Sequence, residues 1–152
     1  MQVQHDGSVL VTDGRKALFL RNEGDGDFPN FILVHSWEQQ LAADRDLKSG
    51  APGRTFSSMG HGDRRSSYDE ANLHDRAEFE FASEVADFLN TRMQSDAVSE
   101  LVIVAPPRTL GVLRKRLRRD VSERVSAEIA KDLVKHPISA IERLVTSYRE
   151  PS

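Results

Sequence analysis

The sequence predicts an α/β fold: a single-domain five-stranded mixed sheet, three antiparallel strands followed by parallel ones, with helices on its faces. Three observations carry that expectation. A hairpin signal sits near the start, a helix-period apolar stripe fills the middle, and Leu101-Val102-Ile103-Val104-Ala105 is a continuous apolar run stopped by Pro106-Pro107. A run without alternation suits a central strand covered on both faces, and strands alternating with helices make parallel neighbours.

Val9 and Val11 point to one side of a first strand, which meets Asp13-Gly14 before Leu18 and Leu20 alternate in a second strand. Turn formers dominate Asn22 to Asn30. Phe31-Ile32-Leu33-Val34-His35 then reads as a buried third strand, and Trp37 to Lys48 as a short helix. Residues 50–68 hold four of the nine glycines (Gly50, Gly53, Gly60 and Gly62) among serines and arginines, and read as one long mobile loop. Unstructured connections longer than about 12 to 15 residues are uncommon in compact domains unless they are functional or disordered. From Asn72 to Met93, the residues Leu73, Ala77, Phe81, Val85 and Leu89 recur every four positions, with Glu78, Glu84 and Asp87 off the stripe, which predicts a helix. Leu110, Leu113 and Leu117 mark a second helical stripe after the proline pair. Val125, Ala127 and Ile129 alternate with Ser126 and Glu128, as in a fifth strand, and Pro137 opens a last helix carrying Ile138, Ile141, Leu144 and Tyr148 inward.

At 152 residues, with 38% hydrophobic and 30% charged, the chain fits one domain with a real core. The absence of cysteine excludes disulfide scaffolds, thiol nucleophiles and cysteine-zinc sites. A net charge of −3, from 21 basic and 24 acidic residues, excludes a globally basic nucleic-acid binder but allows a local basic patch. The opening Met-Gln-Val-Gln-His-Asp-Gly has neither the basic nor the apolar part of an export signal, and no apolar stretch is long enough for a membrane span. A cytoplasmic protein without membrane insertion is expected.

Charge is strongly segregated. Between Leu101 and Arg119 stand Arg108, Arg114, Lys115, Arg116, Arg118 and Arg119 with no acid. On a helical projection Arg114, Lys115, Arg118 and Arg119 fall away from the leucine stripe and form one cationic strip suited to an RNA backbone; the bland alternative is a solvated helix face. The loop adds Arg54, Arg64 and Arg65 to Ser57, Ser58, Gly60, His61 and Gly62. That mixture suits an anion, because glycine lets N–H groups approach, hydroxyls donate and arginine offers a fork; it also describes plain disorder. No Gly-Lys-Ser/Thr phosphate loop, Gly-x-Gly-x-x-Gly fingerprint or Gly-x-Ser-x-Gly elbow occurs, so no cofactor is expected. His61 and His74 lack the spacing of metal ligands, and His35 reads as a structural histidine, so no metal is expected either.

The strand order is also that of ribonuclease H-like nucleases, which hold Mg²⁺ on clustered carboxylates. Asp13 with Glu78 or Glu84 offers part of such a set, but the central strand ends in Pro106-Pro107-Arg108 without an acid, which argues against a two-metal nuclease.

Three stretches carry a family resemblance: Val11-Thr12-Asp13-Gly14-Arg15-Lys16-Ala17, Val104-Ala105-Pro106-Pro107-Arg108-Thr109-Leu110-Gly111 with Leu113-Arg114, and Glu128-Ile129-Ala130-Lys131-Asp132-Leu133. Gly53-Arg54 and Phe81-Ala82 add to them. Over roughly residues 9 to 148 the chain resembles the bacterial host-attachment protein family, itself related to bacterial homologues of archaeal and eukaryotic peptide-chain release factors. The resemblance implies a fold like the central domain of those factors, which is similar to the ribonuclease H-like sheet. In the release factors a long loop carries Gly-Gly-Gln into the ribosomal peptidyl-transferase centre. By this resemblance the loop at 50–68 looks like its counterpart, with Gly60-His61-Gly62 as the nearest element and no glutamine.

Three functions follow as expectations. The first is a non-enzymatic domain binding structured RNA, ribosomal RNA or tRNA, through the basic helix and the loop. The second is a regulatory module affecting cell attachment, whose basic strip meets an acidic protein partner. The third is an aminoacyl- or peptidyl-ester hydrolase with His61 as base, Asp63 beside it and loop N–H groups for the oxyanion.

Overall fold

A computed structural model describes residues 1–39, 62–93 and 100–149, with side chains of the long helix described from residue 73 onward. The elements are β1 (Ser8–Thr12), β2 (Lys16–Asn22), β3 (Phe31–Glu38), α1 (Gly62–Arg92), β4 (Leu101–Val104), α2 (Pro107–Arg116), α3 (Arg119–Ser122), β5 (Val125–Ile129) and α4 (Ile138–Thr146). They build one five-stranded sheet in the order β3-β2-β1-β4-β5. β1 pairs antiparallel with β2 and β2 with β3, whereas β4 runs parallel to both β1 and β5. The expected mixed sheet is therefore the observed one.

Alternation along the strands sorts two cores, one on each face of the sheet. Leu10, Phe19, Leu101 and Ile103 face α1 and α2, where they bury Phe81, Val85, Leu89, Leu110 and Leu113. Val9, Val11, Leu18, Leu20, Val102 and Val104 face the other way, against Ile141 and Val145 of α4. The expected inward residues Ile138, Leu144 and Tyr148 pack at the edge of this second core.

Side-chain hydrogen bonds shape the turns. Asp13 accepts the backbone N–H groups of Arg15 and Lys16, each at 2.7 Å, which closes the β1–β2 hairpin. Fully buried Asn22 donates to the carbonyls of Val3 and Asp25 and accepts from the N–H groups of Gly24 and Asn30, so one amide organises the β2–β3 connection. Gly24 sits so tightly there that a Cβ would lie 2.0 Å from the Phe28 carbonyl oxygen.

Three local expectations are corrected. β3 is a half-exposed edge strand rather than a buried one, with Leu33 44% exposed. It also continues through Trp37 to Glu38, so the start of the expected helix at 37–48 is strand, while 40–48 lie outside the described residues. α1 begins at Gly62, which makes 62–68 helical instead of loop; 50–61 lie outside the described residues. His35 lies in β3 as expected, exposed on one side and stacked on Phe88 with ring centroids 5.4 Å apart.

Candidate functional site

The parallel strands β1, β4 and β5 all end at the same edge of the sheet, beside the hairpin that reverses direction into β2. Open α/β sheets bind ligands outside such carboxyl ends, where the strand order switches. A crevice of about 650 Å³ lies there. Asp13, Gly14, Arg15 and Lys16 of the hairpin form one wall, with Glu38 and Gln39 at the end of β3. Pro106, Arg108 and Thr109 come from the start of α2, Asp132, Val134 and Lys135 from the segment after β5, and Glu78 from α1. The three stretches that carry the family resemblance thus converge on one crevice.

Local packing fixes this geometry. Gly14 lies against Glu78 so closely that a Cβ would be 2.5 Å from its Cγ, which is why the hairpin tip takes glycine. Gln39 ties the wall together, its N–H donating to the Arg15 carbonyl at 2.6 Å and its side-chain amide to the Ala77 carbonyl at 2.6 Å. Buried Leu133 and Val134 anchor the segment that presents Asp132 and Lys135. Arg108 meets Asp75 at 3.1 Å; this hydrogen bond and the charge of Asp75 raise the arginine pKa further. Lys16 lies 3.9 Å from Glu38. Among the described residues no group of three or more His, Asp or Glu is placed to hold a metal ion.

The expected cationic strip takes a different form. α2 stops at Arg116, Leu117 is extended (φ −71, ψ 137), and Arg118 precedes the separate helix α3 that begins at Arg119. Asn90 causes the break: it donates to the Arg116 carbonyl at 3.1 Å and accepts the Arg118 N–H at 2.9 Å. Arg114, Lys115, Arg118 and Arg119 are exposed but spread over two helices and a bend rather than one helical face. Arg114 forks onto Glu128 at 2.6 Å, which raises its pKa, while Arg118 meets Asp120 at 3.3 Å and Arg119 meets Glu123 at 3.3 Å. Arg116 lies over the ring of half-exposed Phe79, 5.4 Å from its centroid.

Of the other expected site residues, Arg54, Ser57, Ser58, Gly60 and His61 lie outside the described residues, while Gly62, Arg64 and Arg65 occupy the first turns of α1. The part of α1 before Glu78 is about 24 Å long at 1.5 Å per residue, so these residues stand far along the helix from the crevice. Arg108 is in the crevice, at the opposite end of α2 from Arg114. Thr109, Asp132 and Lys135 were not singled out as site residues on sequence grounds, whereas Asp13 and Glu78 were weighed there only as part of a carboxylate set. Thr109 and Asp132 lie in the stretches that carry the family resemblance, which was the signal available for them.

A mixed sheet of this order with a long helix crossing one face defines a class of α/β domain, and comparison with known proteins places the chain within it. Residues 6–145 match bacterial archaeo-eukaryotic release factor family 12, and the chain belongs to that family. Membership supports a translation-related role. A 46-residue stretch is also 48% identical to uncharacterized protein RP470 of Rickettsia prowazekii (strain Madrid E), a match covering 30% of this chain and 31% of that relative. No described helix is long and apolar enough to cross a membrane.

Proposed function

We propose that this chain is a cytoplasmic, translation-associated binding domain that docks on structured RNA of the ribosome or on tRNA, without catalysing a reaction itself. The contact surface is the basic segment of α2 and α3, and Arg54, Arg64 and Arg65 are proposed as a separate cationic contact from the sequence before and at the start of α1, the opposite end of that helix from Asn90. One observation carries the reading: Arg114, Lys115, Arg116, Arg118 and Arg119 are all solvent-exposed in a stretch whose acids begin only at Asp120. Their ion pairs with Glu128, Asp120 and Glu123 are surface pairs, typically worth about 0–1 kcal/mol, so RNA phosphates can displace the acids at little cost. Each phosphate so neutralised releases counterions and makes binding salt-dependent.

Co-sedimentation with bacterial ribosomes across a salt series tests the reading. The wild-type chain is expected to bind at low salt and to release as salt rises, and a variant with Arg114, Lys115, Arg118 and Arg119 changed to Ser is expected to stay in the supernatant. Failure of the wild type to bind even at low salt would overturn the proposal. Capture of an acidic protein by the same surface would then assign it to protein recognition, and with it the regulatory reading that includes host attachment.

A further inference from the structure

We infer that Phe79 and Arg116 form a stacking subsite for one unpaired, amino-bearing nucleobase, so that the basic segment takes RNA with bulged or looped-out bases in preference to a continuous duplex. The inference rests on the RNA reading above and names which RNA that surface selects. Phe79 stands on α1 off the apolar stripe and is 47% exposed, so its ring does not serve the core. The ring instead carries the guanidinium of Arg116, 5.4 Å from its centroid. Arg114, Arg118 and Arg119 each meet a carboxylate, whereas Arg116 meets none among the described residues. Aromatic rings and guanidinium planes are both surfaces on which unstacked RNA bases lie. An exposed cation–π contact is worth about two- to fivefold in an equilibrium, while a base stacked on an aromatic ring is worth about five- to 150-fold. A base therefore displaces the guanidinium from the ring, and Arg116 turns to a phosphate, onto which it can fork.

The charges around the ring orient such a nucleotide. Beside Phe79 a groove of about 90 Å³ lies between α1 and α2, with apolar Ala82 and Val112 in its lining and the carboxylates of Asp75 and Glu78. Asp75 is engaged by Arg108 at 3.1 Å, and Glu78 has no ion pair among the described residues. Carboxylates repel phosphate but accept hydrogen bonds from the amino group of a base. Arg116 meanwhile joins the ring to the segment that holds exposed Arg114 and Lys115. The backbone is thus directed to the cations and the base edge to the groove. Adenine, guanine and cytosine carry an amino group that a carboxylate can accept from, and uracil carries none. A groove this small takes one base, and a base inside a duplex cannot reach it.

Fluorescence anisotropy across a salt series, with a fully paired RNA duplex and the same duplex carrying one bulged adenosine, tests the assignment on the full chain. The bulged RNA is expected to bind about tenfold more tightly than the paired one. Phe79→Leu, which stays apolar but has no ring, is expected to bring the bulged RNA down to the affinity of the duplex. Its affinity for the duplex and the slope against salt are expected to stay those of the wild type, which also shows that the variant folds. Phe79→Tyr keeps the ring and is expected to keep the preference. Lys115→Ser is expected to weaken both RNAs alike, and a bulged uridine is expected to bind less tightly than a bulged adenosine. Equal affinity for the bulged and paired RNAs, a preference that survives Phe79→Leu, or adenosine and uridine bulges bound alike would each overturn the inference and leave the RNA reading standing. Binding of neither RNA even at low salt would instead overturn the RNA reading, and this inference with it.

Discussion

The two ends of α2 differ in how they hold charge. At its carboxyl end, Arg114, Lys115 and Arg116 stand in solvent, and Arg114 is paired with an acid that a ligand can replace. At its amino end, positive and negative side chains are matched around a crevice between several elements. A surface of the first kind attracts polyanions at a distance, whereas one of the second kind selects a single group by shape and hydrogen bonding. Net charge therefore locates one end and says nothing of the other.

Breaking the common support of both ends is expected to have the largest effect. Leu113 is 1% exposed beneath α2, so Leu113→Ala is expected to cost about 2–5 kcal/mol by transfer and cavity terms, measured by urea unfolding, and to weaken both ends together. Disturbing the crevice alone is expected to cost less. Gly14→Val forces a side chain into Glu78, for an expected loss of about 1–3 kcal/mol with the exposed cations undisturbed. The smallest effect is a gain. A Cβ at Gly111 meets nothing within 4 Å and no described glycine has a positive φ, so Gly111→Ala is expected to stabilise α2 by about 0.5–1 kcal/mol and to leave both ends working.

Much of the fold was legible because period and burial agree. Leu101–Val104 is a central strand with every residue buried, and Val125–Ile129 alternates as expected. The errors lie where distant contacts decide. Phe31–Val34 has the composition of a buried strand, yet it forms the sheet edge, and a register shift between Phe19 and Leu20 alters its pairing. The leucine spacing through Leu117 suggests a continuing helix, but Asn90 caps the chain at Arg116 from another element. The glycines up to Gly62 suggested loop through residue 68, although neither glycine nor proline recurs from there until Pro106, a pattern that α1 satisfies.

The candidate site was half legible for the same reason. A run of cations is visible in one dimension, and Arg108 was found that way. The crevice needs five segments far apart in sequence, which only the folded chain brings together.

The separation of the two ends can be tested in one assay, ribosome co-sedimentation across a salt series with Thr109→Val and with the variant in which Arg114, Lys115, Arg118 and Arg119 become Ser. The account predicts that Thr109→Val sediments like the wild type while the four-fold variant does not sediment. If Thr109→Val also loses the ribosome, or if the four-fold variant keeps it, the division of labour along α2 is wrong.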